Sequence, residues 1–320
     1  MIEKYSRLTP NNIGQAMSQL KDVVNLTPVM TSTTLDKRVG GQVFLKCENF
    51  QKVGAFKFRG AYHAVSNLDP SLSKRGVIAH SSGNHAQGVA LAAAMLDVQA
   101  TIVMPEDSTP VKMIATAEYG ATVVKSTARD RERVSSELAE KHGYTLIHPY
   151  DNEDIILGQG TAAWELFDQV NDLDYLFVPV GGGGLISGCA LATAARSTGC
   201  KVIGVEPVAG DDAGRSWRSG QIVSLDEVPE TIADGVRTRF IGERNHAVMQ
   251  EYVHDMATVT EAQILEALQF IWARMKIVVE PSSALALAPI LSGNYDIKGG
   301  RAGILISGGN VNTPGCGFFH

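Results

Sequence analysis

Short apolar runs rich in β-branched residues alternate with helical windows along most of the chain, and this alternation narrows the possible folds more than any other feature. The runs are QVFLKCE at 42–48, GVIAHS at 76–81, ATIVMP at 100–105, ATVVKS at 121–126, TLIHPY at 145–150, YLFVPV at 175–180, KVIGVE at 201–206 and GILISG at 303–308. Runs of this length and composition suit strands buried on both faces. Between them lie helical windows such as HAQGVALAAAML and EAQILEALQFIWARM. A first helix is expected near the start, with Thr9 as its cap and Pro10 at its first position. The alternation predicts an α/β fold of parallel sheets with right-handed crossovers, doubly wound and open.

Composition excludes several classes of function. A chain of 320 residues holds one large or two ordinary domains. The net charge of −6 argues against nucleic acid as a main partner, because phosphate backbones need a basic patch. The mixed-sign ARDRER at 128–133 reads as a solvated helix face. Cys47, Cys189, Cys200 and Cys316 are far apart, without CxxC pairing, which predicts reduced thiols in a cytosolic protein. MIEKYSRLTPNN has no apolar signal region and nowhere do 18 apolar residues run together, so neither secretion nor a membrane span is expected. No HxxxH or HExxH pair occurs, so a histidine metal site is not expected.

In doubly wound sheets, ligands bind beyond the carboxyl ends of the strands. Three such ends carry small and hydroxyl residues: HSSGNHAQG after the 76–81 run, VGGGGLISG after the 175–180 run and ISGGN after the 303–308 run. Gly181 to Gly184 open a helical stretch, LISGCALATAAR. That arrangement offers unpaired N–H groups and a positive dipole end to a phosphate. A dinucleotide site competes for this segment. Gly182 and Gly184 fit GxGxxG, Ser187 stands at the third position, and Glu206 occupies the place of the ribose-binding acid, as in an NAD-dependent dehydrogenase.

GAFKFRG at 54–60 places Lys57 between two phenylalanines. A lysine in an apolar pocket loses hydration, its pKa falls, and its amine becomes a nucleophile able to form a Schiff base. The plain alternative is a helix start with Phe56 and Phe58 packed inward and Lys57 in water. A nicotinamide site leaves Lys57 and the two asparagine loops without a task. Pyridoxal phosphate employs all of them: a glycine cradle for its phosphate, a lysine for its aldehyde and polar loops for its ring.

Taken together, AFKFRGA (55–61), SSGNHAQG (81–88), GGGGL (181–185), EPVAGDD (206–212), ADG (233–235), MKIVVEPSSA (275–284) and LISGGN (305–310) resemble the serine racemase and serine/threonine dehydratase family. These are pyridoxal-phosphate enzymes of the tryptophan-synthase-β fold, PLP fold type II, with two doubly wound sheets. The resemblance spans roughly residues 10 to 312, in order. It implies a large domain of residues 1–69 and 151–320, a small domain of residues 70–150, and a pyridoxal 5'-phosphate cofactor in the cleft between them. The cysteine synthase branch fits less well, because Asn84-His85 stands where that branch has threonine-glycine after the asparagine.

The resemblance also implies roles. Lys57 matches the Schiff-base lysine, Phe56 the residue behind the ring, and Asn84 the amide on the ring's phenolic oxygen. Gly181, Gly182, Gly183 and Gly184 match the phosphate loop, ended by Leu185, and Gly235 matches a backbone group beside the cofactor. Ser307 matches the hydroxyl facing the pyridine nitrogen. A hydroxyl there leaves the nitrogen unprotonated and the electron sink weak, which suits β-elimination. Ser81, Ser82, Asn84 and His85 match the loop that grips the substrate carboxylate, with Ser82 at the base position opposite Lys57. EPVAGDD resembles the racemase metal loop, in which Glu206, the carbonyl of Gly210 and Asp212 bind Mg²⁺, Mn²⁺ or Ca²⁺. Such cations favour hard oxygen donors.

Within the family, VGAFKFRGA, SSGNHAQ, ATIVMPED and PYDNEDIILGQGT look most like the 3-hydroxyaspartate dehydratases. Threonine dehydratase usually reads HPF where this chain reads HPY at 148–150. That branch implies elimination of water from L-threo-3-hydroxyaspartate, giving oxaloacetate and ammonia. A second substrate carboxylate needs donors. The racemase pocket suggests Arg131 and Thr238, with Arg237 and Arg239 in reserve and Tyr150 lining the same space. Serine racemase or L-serine/L-threonine dehydratase activity is the alternative inside the fold. The chain ends soon after SGGN, so no isoleucine-responsive regulatory domain is expected. The family implies a homodimer acting on a small hydroxy amino acid.

Overall fold

The computed structural model describes residues 2–81, 83–106, 108, 110–197 and 199–311. Ten strands occur among them: β1 (Val29–Met30), β2 (Gln42–Cys47), β3 (Val77–His80), β4 (Ala100–Pro105), β5 (Thr122–Ser126), β6 (Thr145–Leu146), β7 (Tyr175–Pro179), β8 (Lys201–Pro207), β9 (Asp255–Val259) and β10 (Arg301–Ile306). They form a six-stranded sheet in the order β1-β2-β10-β7-β8-β9 and a four-stranded sheet in the order β5-β4-β3-β6. Every pairing is parallel except β1 with β2. The apolar runs are continuous because both sheet faces are covered. Leu176 and Val178 pack on one side with Ile156, Leu166 and Ile186, while Phe177 between them packs on the other with Ile264, Leu268 and Leu287.

The structure departs from the sequence expectations in five places. The run TLIHPY yields only two strand residues, because Pro149 has no N–H for a ladder and the chain turns there, with the Asp151 N–H donating to His148 Nδ1 at 2.8 Å. β9 was not expected, since DMATV begins on an acid and is only partly apolar. The two-residue β1 adds an antiparallel edge to an otherwise parallel fold. Thr9 has extended backbone before helix Pro10–Leu20, but its side chain makes no capping hydrogen bond. The window EAQILEALQFIWARM is α-helical only through Phe270; Ile271–Met275 is a π-turn, closed by Lys276 at φ 62°.

Three helices fix the site's frame: Lys57–Ser66, Glu153–Gln169 and Gly184–Arg196. Glycines let them approach backbone to backbone. A Cβ on Gly188 would lie 2.3 Å from Ile156 O, one on Gly160 2.5 Å from Gly188 O, and one on Gly158 2.7 Å from the Cα of Gly60. Below this contact lies a buried ion network. Arg59 pairs with Glu48 at 2.7 Å and with Glu165 at 2.8 Å, and Lys46 pairs with Glu165 at 2.8 Å. Burial works against each charge, but the carboxylates outweigh it at Arg59 and hold that guanidinium protonated. Arg59 sits two residues from Lys57, so this network anchors the start of the lysine's helix.

Candidate active site

Lys57 is the first residue of its helix and is suspended from the loop after β10. The Phe56 N–H donates to Ser307 O at 3.0 Å, and Ala55 bridges to Gly308. Its ammonium donates to Pro149 O at 2.7 Å and lies 5.2 Å from the centre of the buried Phe56 ring. Phe58 is buried as well, so both flanking rings point inward, while Lys57 between them is half-buried. Desolvation lowers the Lys57 pKa to about 8, with Glu280 pulling in the opposite direction.

Asn84 begins helix Asn84–Met95, beyond the end of β3. Its Nδ2 reaches both carboxylate oxygens of Glu280 at 3.0 Å, and its Oδ1 accepts from Asn310 Nδ2 at 2.8 Å. These bonds join the carboxyl end of the four-stranded sheet to that of the six-stranded sheet. Ser81 Oγ accepts from the Gly83 N–H at 3.2 Å. His85 is buried, with Nε2 2.9 Å from Ile147 O and no partner for Nδ1 among the described residues. Burial, reinforced by the charge of Lys57, pushes its pKa well below the usual histidine range. Ser82 lies outside the described residues.

The glycine loop follows β7 and leads directly into helix Gly184–Arg196, whose first N–H groups have no acceptor within the helix. Gly183 holds φ +94°, and a Cβ on Gly182 would fall 2.3 Å from the Tyr150 ring. Asn245 braces the loop, its Nδ2 donating to Gly182 O at 2.8 Å and to Tyr150 O at 3.1 Å. Leu185 is buried at the end of the loop. The Gly235 N–H donates to Ser282 Oγ at 2.8 Å. Ser307 is buried with its hydroxyl 3.0 Å from that of Ser283, which also accepts from the Gly308 N–H at 2.7 Å. The first N–H groups of helix Gly184–Arg196, the Lys57 amine and the Ser307 hydroxyl are a donor set that suits pyridoxal phosphate, and the Tyr150 and Asn245 side chains pack against Gly182 and Gly183.

Tyr150 and His148 meet edge to face at 4.6 Å. Burial drives the Tyr150 phenol up to about 12 and the His148 imidazole down to about 4, so both are neutral at pH 7. Arg131 begins helix Arg131–His142 and is close enough to influence both His80 and Tyr150. Its Nε, like Thr238 Oγ1, is buried with no hydrogen-bond partner among the described residues. Arg237 and Arg239 are exposed, and each spends its Nε on a backbone carbonyl, of Pro229 and Leu225. Along ARDRER, Ala128, Arg129, Glu132 and Arg133 are exposed, as a solvated face requires, whereas Asp130 and Arg131 are half-buried; Arg133 pairs with Asp130 and Glu137.

Near the carboxyl end of β8, Glu206 is buried and accepts from the Ala213 and Gly214 N–H groups at 3.0 and 2.7 Å. It therefore faces the next helix, Asp212–Ser219, and is not free to hold a ribose. Asp212 Oδ2 is buried without a partner among the described residues, and burial raises that carboxyl to about 7. Burial and the neighbouring Asp212 charge push Glu206 well above the ordinary carboxylate range. Gly210 ends the 3-10 turn Val208–Gly210 between them, and Asp211 turns toward Arg215 at 3.8 Å. No group of three or more histidine, cysteine, aspartate or glutamate side chains that could hold a metal occurs among the described residues.

Sequence reasoning assigned no role to Glu280, Asn310, Ser283 or Asn245, although the first three lie in the motifs MKIVVEPSSA and LISGGN. Glu280 had a usable signal, because a lone acid inside MKIVVEPSSA interrupts an apolar run. Asn245, in the polar stretch ERNHAVM, carries none.

The family model described as pyridoxal-phosphate dependent enzyme matches residues 20–308. Over 306 residues the chain is 50% identical to an L-threo-3-hydroxyaspartate ammonia-lyase of Saccharomyces cerevisiae, covering 95% of this chain and 94% of the relative. It is 47% identical to a serine racemase of Schizosaccharomyces pombe, again covering 95% and 94%. The crystal structure of a serine racemase from Dictyostelium discoideum superposes with a TM-score of 0.90 at 42% identity, covering 95% of this chain and 99% of that one. The chain belongs to the pyridoxal-phosphate dependent enzyme family, with the type II fold and pyridoxal 5'-phosphate as cofactor. Among the described residues, no helix is long and apolar enough to cross a membrane.

Proposed function

We propose that this protein is an ammonia-lyase that eliminates water from L-threo-3-hydroxyaspartate, yielding oxaloacetate and ammonia. The observation that carries the substrate assignment is the pair of buried, unpartnered donors, Arg131 Nε and Thr238 Oγ1. Burying such groups without acceptors is costly unless a ligand supplies them. The β-carboxylate that distinguishes 3-hydroxyaspartate from serine is such an acceptor, and the yeast relative bears that substrate in its name.

Bound pyridoxal phosphate supplies the electron sink that makes the substrate Cα proton acidic. Lys57, whose pKa is lowered to about 8 so that much of it is free amine near that pH, takes that proton at Nζ, while Pro149 O orients the amine. Ser82 is assigned the opposite face. Ser81, Asn84 and His85 bind the α-carboxylate, Tyr150 closes the pocket, and Gly181 to Gly184 with Leu185 hold the cofactor phosphate. Phe56, Gly235 and Ser307 bound its ring. Glu206, the Gly210 carbonyl and Asp212 hold a divalent cation, supported by the orphaned Asp212 Oδ2 and the two raised carboxyls. Residues 70–150 serve as the small domain that carries the substrate loop against the large one, and the enzyme works as a cytoplasmic homodimer.

Arg131→Met tests the substrate assignment. Its kcat/KM for L-threo-3-hydroxyaspartate should fall ~10-fold or more, the cost of losing a charged hydrogen bond. L-Serine turnover should change far less. Equal losses on both substrates would remove Arg131 from the β-carboxylate.

A further inference from the structure

We propose that Glu280 is a positioning residue that, together with Asn310, locks the amide of Asn84 in one orientation toward the cofactor ring. The proposal rests on the pyridoxal-phosphate reading of the site.

The orientation of an asparagine amide is set by its partners. On one side, Asn84 Nδ2 reaches both Glu280 oxygens at 3.0 Å, and the ionised carboxylate can only accept. On the other side, Asn84 Oδ1 accepts from Asn310 Nδ2 at 2.8 Å. Asn310 cannot rotate to reverse that bond, because the same Nδ2 donates to Val53 O at 2.7 Å. The chain Glu280–Asn84–Asn310–Val53 therefore ends in an acceptor at each extremity, and only one amide orientation satisfies all four members.

Glu280 is itself fixed. It is buried, its N–H donates to Gly308 O at 3.0 Å, and it directly precedes helix Pro281–Ala284. The charged groups facing it are Asp234, which opposes its ionisation, and Lys112 and Lys57, which favour it. Burial pushes the acid up to about 7. A buried acid held at this cost, with its oxygens turned to the Asn84 amide and the Asn310 backbone N–H, has the positioning of these two residues as its evident use. It also ties Asn84, from the four-stranded sheet, to the loop carrying Ser307, from the six-stranded sheet.

The test uses Glu280→Ala, Asn84→Ala, the double variant and Glu280→Gln. Each apoenzyme is titrated with pyridoxal phosphate by fluorescence, and the absorption band of each holoenzyme is recorded. Glu280→Ala should weaken cofactor binding ~10-fold or more and shift the band. The double variant should bind no more weakly than Asn84→Ala alone, because one interaction has been removed twice. Glu280→Gln, which keeps an accepting oxygen, should recover most of the affinity. Glu280→Ala with wild-type affinity and band, or losses that multiply in the double variant, overturns the proposal. If Glu280→Ala does not fold, Asn310→Ala takes its place, and additivity with Asn84→Ala is equally fatal. Failure of the wild-type protein to take up pyridoxal phosphate would overturn the site reading as well, whereas normal uptake with independent residues overturns the lock alone.

Discussion

Lys57 owes its chemistry to where its neighbours put it. An ordinary lysine is an ammonium at pH 8; this one is half converted to the free amine, because its charge has lost water and gained only a carbonyl and a distant acid. Below about pH 8 the ammonium predominates, and above it the nucleophilic amine. The rate at which the apoenzyme captures pyridoxal phosphate should therefore rise about tenfold per pH unit up to pH 8 and then level off. A rise continuing past pH 10 would mean an unperturbed lysine. Lys57 and the four glycines are legible in the sequence because their chemistry is written in adjacent residues. Glu280 and Asn310 are not, since an amide lock between positions 84, 280 and 310 exists only after the two sheets meet.

At the scale of elements, the glycine contacts carry the geometry from lysine to phosphate loop. Helix Lys57–Ser66 starts at the proposed nucleophile and helix Gly184–Arg196 at the glycine loop, and helix Glu153–Gln169 is pressed between them. Gly160→Ala would put a methyl group 2.5 Å from Gly188 O, and should cost about 1–3 kcal/mol in urea unfolding with a parallel loss of cofactor affinity. Unchanged stability would show that these helices can separate freely. Arg59→Met leaves Glu48 and Glu165 buried without their main counter-charge, and should destabilise by about 3–5 kcal/mol in the same measurement. The buried strands of both sheets are legible from their apolar runs. β9 and the turn within 145–150 are not, because packing and one proline decide them more than periodicity does.

Over the whole molecule, the segments that carry the two sheets are joined by polar links that include Asn84 to Glu280 and Asn310, Lys57 to Pro149, and Lys112 to Asp234 at 2.9 Å. The proposed cation ligands lie at the carboxyl end of β8, next to the ends of β7 and β10 that carry the glycine loop and Ser307. A ligand that binds only the folded state raises its melting temperature. Millimolar Mg²⁺ should therefore raise the Tm of the holoenzyme, and Asp212→Ala should abolish the increase; an equal increase in that variant would place the cation elsewhere. The central claim is tested most directly by measuring 2-oxo acid release from L-threo-, D-threo- and erythro-3-hydroxyaspartate, L-serine, D-serine and L-threonine, with Mg²⁺ and with EDTA. The account predicts that L-threo-3-hydroxyaspartate dominates and that EDTA weakens its turnover. Preferential turnover of L-serine or L-threonine would contradict it.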